Sequence, residues 1–291
     1  MRTLSQSPSR DYQSIAIVTS YWRPGEDYHQ RIIDALKGKV RNGDTVTISE
    51  KAISTATGNI IDEKQLNAGR FSRLLAGLWM HFVWGYMLGA LCHLRPKTIK
   101  RFRTYPKAEG DKHKQLALTR GGLLQALMHG SEGAIDGSNL PYSFVSLPLQ
   151  KAQSIADQIR TRIKTDLHVE VSVMVVDTDK SYTYRNFHFT PRPKPIRGIQ
   201  SHGGALAYLV GRALRLRKRS TPVALSGSEI VTETALQIAE CANKARGHGA
   251  GRDVWDMAER FDAALTEVTW DMLDRIEHRP IVIIRPQRNN T

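Results

Sequence analysis

Val169, Val171, Val173 and Val175 alternate with Glu170, Ser172 and Met174. A two-residue period suits an extended strand and not a helix, so this run predicts a β-strand with one strongly apolar face, whose C-terminal end delivers Asp177. Residues 14–22 (SIAIVTSYW), rich in β-branched and aromatic side chains, read as a second strand. So do residues 45–49 (TVTIS), after an Asn42-Gly43-Asp44 turn. Residues 182–189 alternate again, as a hairpin or neighbouring strand, and residues 281–284 close the chain as a buried strand. Helices are expected over 26–36, 65–94, 152–163 and 229–245. Another is expected over 254–261, capped by Asp253 with Asp256 in the reciprocal position. Strands and helices mix without a regular βαβ beat, which gives an α+β fold of mixed sheets with packed helices. No GxGxxG or Walker sequence occurs, so neither a Rossmann nor a P-loop nucleotide site is supported.

The 291 residues suffice for one large domain or two intimately joined ones. We assign residues 11–286 to one domain, with 1–10 and 287–291 as tails. Lys and Arg number 42 against 28 Asp and Glu, a formal net charge of +14, which calls for an anionic partner. Phosphate esters, polycarboxylates, nucleic acid and an anionic membrane surface all qualify. The charge is unevenly placed: no carboxylate lies between Asp179 and Glu229, where Arg185, Arg192, Lys194, Arg197, Arg212 and further bases crowd. A second basic run covers residues 95–107. Arginine forks suit phosphate and carboxylate oxygens, although a solvated basic face looks the same in sequence. No aromatic–basic RNA motif or zinc-binding spacing accompanies the charge, so nucleic acid is not the expected partner. Cys92 and Cys241 form no disulfide framework, which points to a reducing, cytoplasmic setting.

Residues 74–94 hold no Lys, Arg, Asp or Glu, a length close to that of a bilayer span. Basic residues follow, and Trp79, Trp84 and Tyr86 suit a membrane interface. Yet Gly77, His81, Gly85, Gly89 and His93 recur every fourth residue, a small or polar stripe that lets another helix pack closely. A buried or dimer-interface helix and peripheral membrane association both remain open.

Three segments carry oxygen donors or phosphate-binding chemistry. In residues 133–141 (GAIDGSNLP), small residues flank Asp136, with Ser138 and Asn139 adjacent; Mg2+ and Mn2+ take such hard oxygen ligands, and so do plain solvated turns. Asp177 and Thr178, at the end of the apolar strand, are placed to face a cleft. Gly247, Gly249 and Gly251, before the helix capped by Asp253, could cradle a phosphate, although a flexible connector explains them better.

In order along the chain, these segments resemble the coenzyme F-420:L-glutamate ligase (gamma-glutamyl ligase) family. Residues 23–27 (RPGED) resemble its early Pro-Gly-Asp-Asp turn, and residues 43–54 its Gly-Asp, strand, Lys-x-x-Ser signature. Residues 133–139 resemble its Ala-Gly-(Ile/Val)-Asp-x-Ser-Asn, and Asp177-Thr178 with Tyr184-Arg185-Asn186 its Asp-Thr…Trp-Arg-Asn element. The resemblance implies the family's α+β fold, an intertwined homodimer, and a GTP- and Mn2+/Mg2+-dependent ligase. In that family an anionic coenzyme precursor is phosphorylated and L-glutamate attacks the acyl phosphate. It further implies Asp136 and Asp177 as catalytic residues and, with Thr178, as metal ligands. Thr19, Ser20, Tyr21, Trp22, Lys51, Ser54, Asn139, Gly211 and Arg212 would meet the nucleotide, and Arg185 and Arg197 the substrate. The chain departs from the pattern at Thr55 and Thr57, where the family shows lysine and glutamate, and at Glu132, where it shows asparagine. The family's Asp-x-Tyr-Gly-Arg element is reduced to Tyr208-Leu209-Val210-Gly211-Arg212, without its aspartate, and residues 74–107 look like an enlargement, an apolar helical and basic insertion. These departures leave a non-catalytic or regulatory nucleotide-binding relative as the second reading.

Overall fold

The computed structural model describes residues 12–130 and 132–287; the expected tails, apart from Gln287, lie outside that range. Strands β1 (Tyr12–Thr19), β2 (Thr45–Ser49), β5 (Ser172–Tyr184), β6 (Phe187–Phe189), β7 (Ile199–Gln200), β8 (Arg217–Ser226) and β9 (His278–Pro286) form one mixed sheet. The chain's last strand, β9, lies between β1 and β2, antiparallel to both, and β2 runs parallel to β5. A small second sheet pairs β3 (Ile60–Asp62) with β4 (Phe144–Ser146). The architecture is α+β, as the irregular strand–helix order implies.

The valine alternation predicts one apolar face, but both faces of β5 are buried. Val173 and Val175 pack under α1 (Tyr28–Leu36) and α7 (Ala152–Leu167), beside Ile159, Ile163, Val46, Ile48 and Ile281. Met174 and Val176 point the other way, onto Ala235, Ile238 and Ala239 of α9 (Thr232–Arg246). Each such side chain removed from water contributes about 1.5–3 kcal/mol, so the central strands carry much of the fold's stability. The strand also runs on past Asp177 to Tyr184 rather than ending there, because β8 pairs with it along its length.

Helix α3 (Arg70–Leu91) begins later than expected, and its middle, Leu75–Leu88, widens to π-type pairing. The small-residue stripe explains its docking. Gly85 and Gly89 admit α4 (Pro96–Arg103) at close range: Arg103 Nε donates to the Gly85 carbonyl at 2.9 Å, and a Cβ on Gly89 would meet Ile99 at 3.0 Å. Trp79 and Trp84 both donate their indole N–H to the Leu127 carbonyl at 2.9 Å. α5 (Lys107–Gly121) and the short α6 (Leu123–Ala126) complete this helical lobe.

Candidate functional site

A cavity of about 340 Å3 opens where β2, the β5 bulge and two glycine-bearing loops converge. Residues 136–139 form one wall. Asp136 is pinned by a two-way backbone bridge to Ser146, and the Ser138 N–H donates to Asp136 Oδ1 at 2.7 Å. Lys51, in the first turn of α2 (Glu50–Ala56), donates to Asp136 Oδ2 at 2.5 Å and to Ser138 Oγ and the Ser138 carbonyl at 2.7 Å. The two motifs that the resemblance joins, 85 residues apart, therefore meet as one ion pair.

The second wall comes from an irregularity in β5. Its pairing with β8 slips between Asp177 and Lys180, so that Thr178 and Asp179 bulge into the cavity with Lys180. Bulges re-aim side chains in this way next to binding sites. Asp177 itself stays behind the wall. Its Oδ2 lies 3.2 Å from Nε of the buried Arg192, close in distance but outside hydrogen-bond geometry, while Arg192 Nη2 donates to Glu50 at 3.1 Å. Burial pushes the Glu50 carboxyl up, against the pull of Arg192.

The third wall is the glycine loop, which sequence reasoning had set aside as a connector. Asn139 holds its C-terminal half: Asn139 Oδ1 accepts from the Ala250 N–H at 2.6 Å and Nδ2 donates to the Gly251 carbonyl at 2.9 Å. Gly249 sits at φ +57°, where an added Cβ would stand 2.5 Å from Asn139 Oδ1. Asn139 thus serves the loop directly. Asp253 caps α10 (Val254–Phe261) behind it, accepting from the Asp256 N–H at 2.8 Å. Asp256 does not reciprocate toward Asp253; its carboxylate pairs with Arg101 and Arg252.

Tyr21 and Trp22 line the cavity, and Tyr21 stacks on His278 at 4.3 Å between ring centres. Burial lowers the His278 imidazole to about 4, so the ring is neutral at pH 7. Arg246, Arg252 and Arg279 also reach the cavity, none of them expected from the sequence as a site residue. Burial pulls Arg246 down to about 10, with Asp177 opposing, so it stays charged. With Lys51 and Lys180, five bases face three carboxylates, Asp136, Asp179 and Glu277, a balance suited to polyphosphate.

Other residues expected here lie elsewhere. Ser54 is fully buried and donates to the Leu147 carbonyl at 2.8 Å; Thr55 takes the wall position instead. Thr19 and Ser20 sit outside the lining, with the Ser20 carbonyl accepting from Arg31. Gly211 packs against the Tyr182 ring, and Arg212 donates to the Cys92 carbonyl at 3.0 Å, which commits both to the helical lobe. Arg185 occupies the tip of the β5–β6 hairpin over the Tyr184 ring, and Arg197 is exposed in the loop before β7; neither lines the cavity.

A second cavity, of about 380 Å3, lies on the other side of Asp136, and Asp136 and Arg252 line both. Phe102, Tyr105, Tyr142, Phe144 and Trp255 give it aromatic walls, with Lys64 and Lys112 at its edge. One wall carries a buried charge group. His113 bonds Glu63 through Nδ1 at 2.7 Å and Glu132 through Nε2 at 2.9 Å, while Lys114 Nζ donates to Glu132 Oε1 at 2.6 Å. Burial would raise the Glu132 carboxyl, but Lys114 and His113 hold it well below the usual range. Burial likewise opposes charge on His113, and Glu63 and Glu132 override it, keeping the imidazole well above its ordinary value.

Asp136, Ser138 and Thr178 offer hard oxygens to one cavity, and a Mg2+ or Mn2+ ion needs only one or two protein carboxylates when water and phosphate complete its shell. The donor chemistry fits such an ion at Asp136, provided Lys51 yields or shares that carboxylate. Asp177, turned to Arg192, does not face the same space. Among the described residues no three His, Cys, Asp or Glu side chains form a ready-made protein-only metal cage.

The model of the F420-0:Gamma-glutamyl ligase family matches residues 16–245. An uncharacterized protein of Methanocaldococcus jannaschii is 34% identical over 282 residues, covering 92% of this chain and 94% of the relative. The match spans Lys51, Asp136, Asn139 and the β5 bulge alike, and on this ground the chain belongs to the F420-0:gamma-glutamyl ligase family.

Proposed function

We propose that this protein is a GTP- and divalent-metal-dependent ligase that forms a gamma-glutamyl amide bond on an anionic acceptor. One observation carries the reading: Asp136 and Arg252 line both cavities, so a phosphoryl group bound in the basic cavity meets an acceptor carboxylate held in the aromatic one. Lys51, Lys180, Arg246 and Arg279 would receive the triphosphate, and the Gly247–Gly251 backbone would approach it closely. Tyr21 and its stacked neighbour His278 offer a flat apolar surface for the base.

The γ-phosphoryl group passes from the nucleotide to a carboxylate oxygen of the acceptor, giving an acyl phosphate and the nucleoside diphosphate. The amine of L-glutamate then attacks the acyl carbon, and phosphate leaves as the amide forms and the amine proton departs. A divalent cation at Asp136, with Ser138 and Thr178 nearby, would offset charge on the transferred group. Arg252, at the junction, is placed to hold the acceptor carboxylate or the developing phosphate. Asp177 acts one step removed, by orienting Arg192 and lowering the cost of burying Arg246.

The second reading, a nucleotide-binding relative without catalysis, has its own observation. Thr55 and Thr57, where the family shows lysine and glutamate, turn their hydroxyls back to the carbonyls of Lys51 and Ile53 and bring no charge to the cavity. The discriminating assay incubates the protein with Mn2+, L-glutamate, the coenzyme precursor and either GTP or ATP. Release of nucleoside diphosphate, abolished in Asp136→Asn, supports the ligase. Tight nucleotide binding with no diphosphate released for any carboxylate acceptor removes it and leaves the binding-only reading.

A further inference from the structure

We propose that the outer face of α3 docks the protein, lying flat, on an anionic lipid surface. Leu74, Leu78, Phe82, Tyr86, Met87 and Leu91 are between 48% and 67% exposed, and they recur every four or five residues along one side of the helix. A water-facing helix side normally carries charge, yet this one has none from 74 to 94. The flanks are basic. From residue 64 to residue 108 the chain has nine Lys and Arg and no Asp or Glu, with Arg70 and Arg73 exposed before the face and Arg95 and Lys100 exposed after it.

The opposite side of α3 decides between spanning and lying flat. Met80 and Trp84 are buried with Cys92 and Phe102, and Trp79 and Trp84 are tied to the Leu127 carbonyl. A transmembrane orientation would dismantle that core, whereas an in-plane one leaves it intact and wets nothing new. Helix α8 (Gly204–Ala213) adds Leu206 and Val210, and its C-cap adds Leu214, exposed at every fourth residue, beside the end of α3, where Arg212 holds the Cys92 and His93 carbonyls. Charge favours lipid over a second copy of the chain. A twofold interface through this face would set its basic flanks against themselves in a molecule of net charge +14, while anionic headgroups complement them.

The test is flotation of the full-length protein with vesicles of phosphatidylglycerol and phosphatidylcholine, against phosphatidylcholine alone. The protein should float with the anionic vesicles and be released progressively as salt rises. The pair Leu78→Asn/Phe82→Asn should lose at least tenfold in vesicle affinity, about 1.4 kcal/mol, with an unchanged melting curve. Arg95→Gln/Lys100→Gln should bind more weakly and with a flatter salt dependence. Absence of flotation with either vesicle, or equal and salt-insensitive binding to both, overturns the proposal. So does a Leu78/Phe82 pair that floats like the parent but sediments as a smaller species, which would assign the face to self-association.

Discussion

Replacing Lys114 by methionine tests whether the buried charge group is a designed unit of the second cavity. Lys114 has no exposed surface, and its ammonium is divided among the Ala126 carbonyl at 2.9 Å, the Met128 carbonyl at 2.5 Å and Glu132 at 2.6 Å. Methionine fills the stem but leaves Glu132, itself 1% exposed, with His113 as its remaining charged partner. Removing one member of a buried pair costs roughly 3–5 kcal/mol, part of it from the stranded carbonyls. At roughly 2–4 °C per kcal/mol for a chain of this size, the thermal midpoint should fall by about 6–20 °C. The double variant Lys114→Met/Glu132→Gln removes both charges and should be more stable than the sum of its single changes by at least about 1 kcal/mol. Urea unfolding of the parent, both single variants and the double variant provides the measurement. If Lys114→Met costs under about 1 kcal/mol, or the changes simply add, the charges are not coupled and the reasoning fails.

The same group sets a pH dependence. The folded His113 imidazole titrates well above its unfolded value of about 6.5, so the stability it contributes is complete below that value and is lost as pH rises through the folded one. Thermal midpoints across the alkaline range should therefore decline in the parent and flatten in His113→Gln. At the nucleotide cavity, Asn139→Ala removes both side-chain bonds that hold Ala250 and Gly251 of the glycine loop. It should weaken nucleotide binding at least tenfold in calorimetric titration while costing only about 1–2 kcal/mol of stability, and an unchanged affinity would remove Asn139 from the site.

An unbroken apolar run located β9, and periodicity located β2, β5 and helix α7, because burial against the sheet imposes its period directly on the sequence. It could not show that both faces of β5 are covered: Met174 and Val176 pass as the weaker side of an alternating strand, and their partners on α9 lie some sixty residues further on. From local pattern Asp136 read only as a turn residue and Lys51 had no reading of its own; the resemblance alone joined them. Their contact depends on the Asp136–Ser146 bridge, which no local pattern announces. Arg246 and Arg252 were invisible for a different reason, since arginines ending or preceding a helix look like ordinary solvated charges until the fold buries one and sets the other between two cavities. Ser54 misled because its neighbour Thr55, one residue on, faces the cavity while Ser54 turns inward to Leu147.

Two departures from the family pattern and the enlarged segment form a single structural change. Glu132, standing where the family shows asparagine, would be an uncompensated buried charge on its own. Lys114 and His113 neutralise it, and both belong to α5, which begins at the last residue of the enlargement. Tyr208, in the element that lacks the family's aspartate, bonds His129 at 2.9 Å and packs on Trp84 of α3. Burial lowers the His129 imidazole to about 3, so a neutral ring sits where the added helix now covers it. An aspartate at position 208 would face this apolar lobe, where an unpaired carboxylate costs several kcal/mol. Two of the residues lost from the pattern are therefore ones the lobe could not accommodate, whereas Thr55, a third, lines the first cavity; Met80, Phe102 and Tyr105 of the enlarged segment supply walls of the second. Lys51, Asp136 and Asn139, which keep the pattern, surround the other cavity. Under the proposed function these lobe changes fall on the acceptor side, so an acceptor screen is where the proposed ligase activity should part from the family pattern.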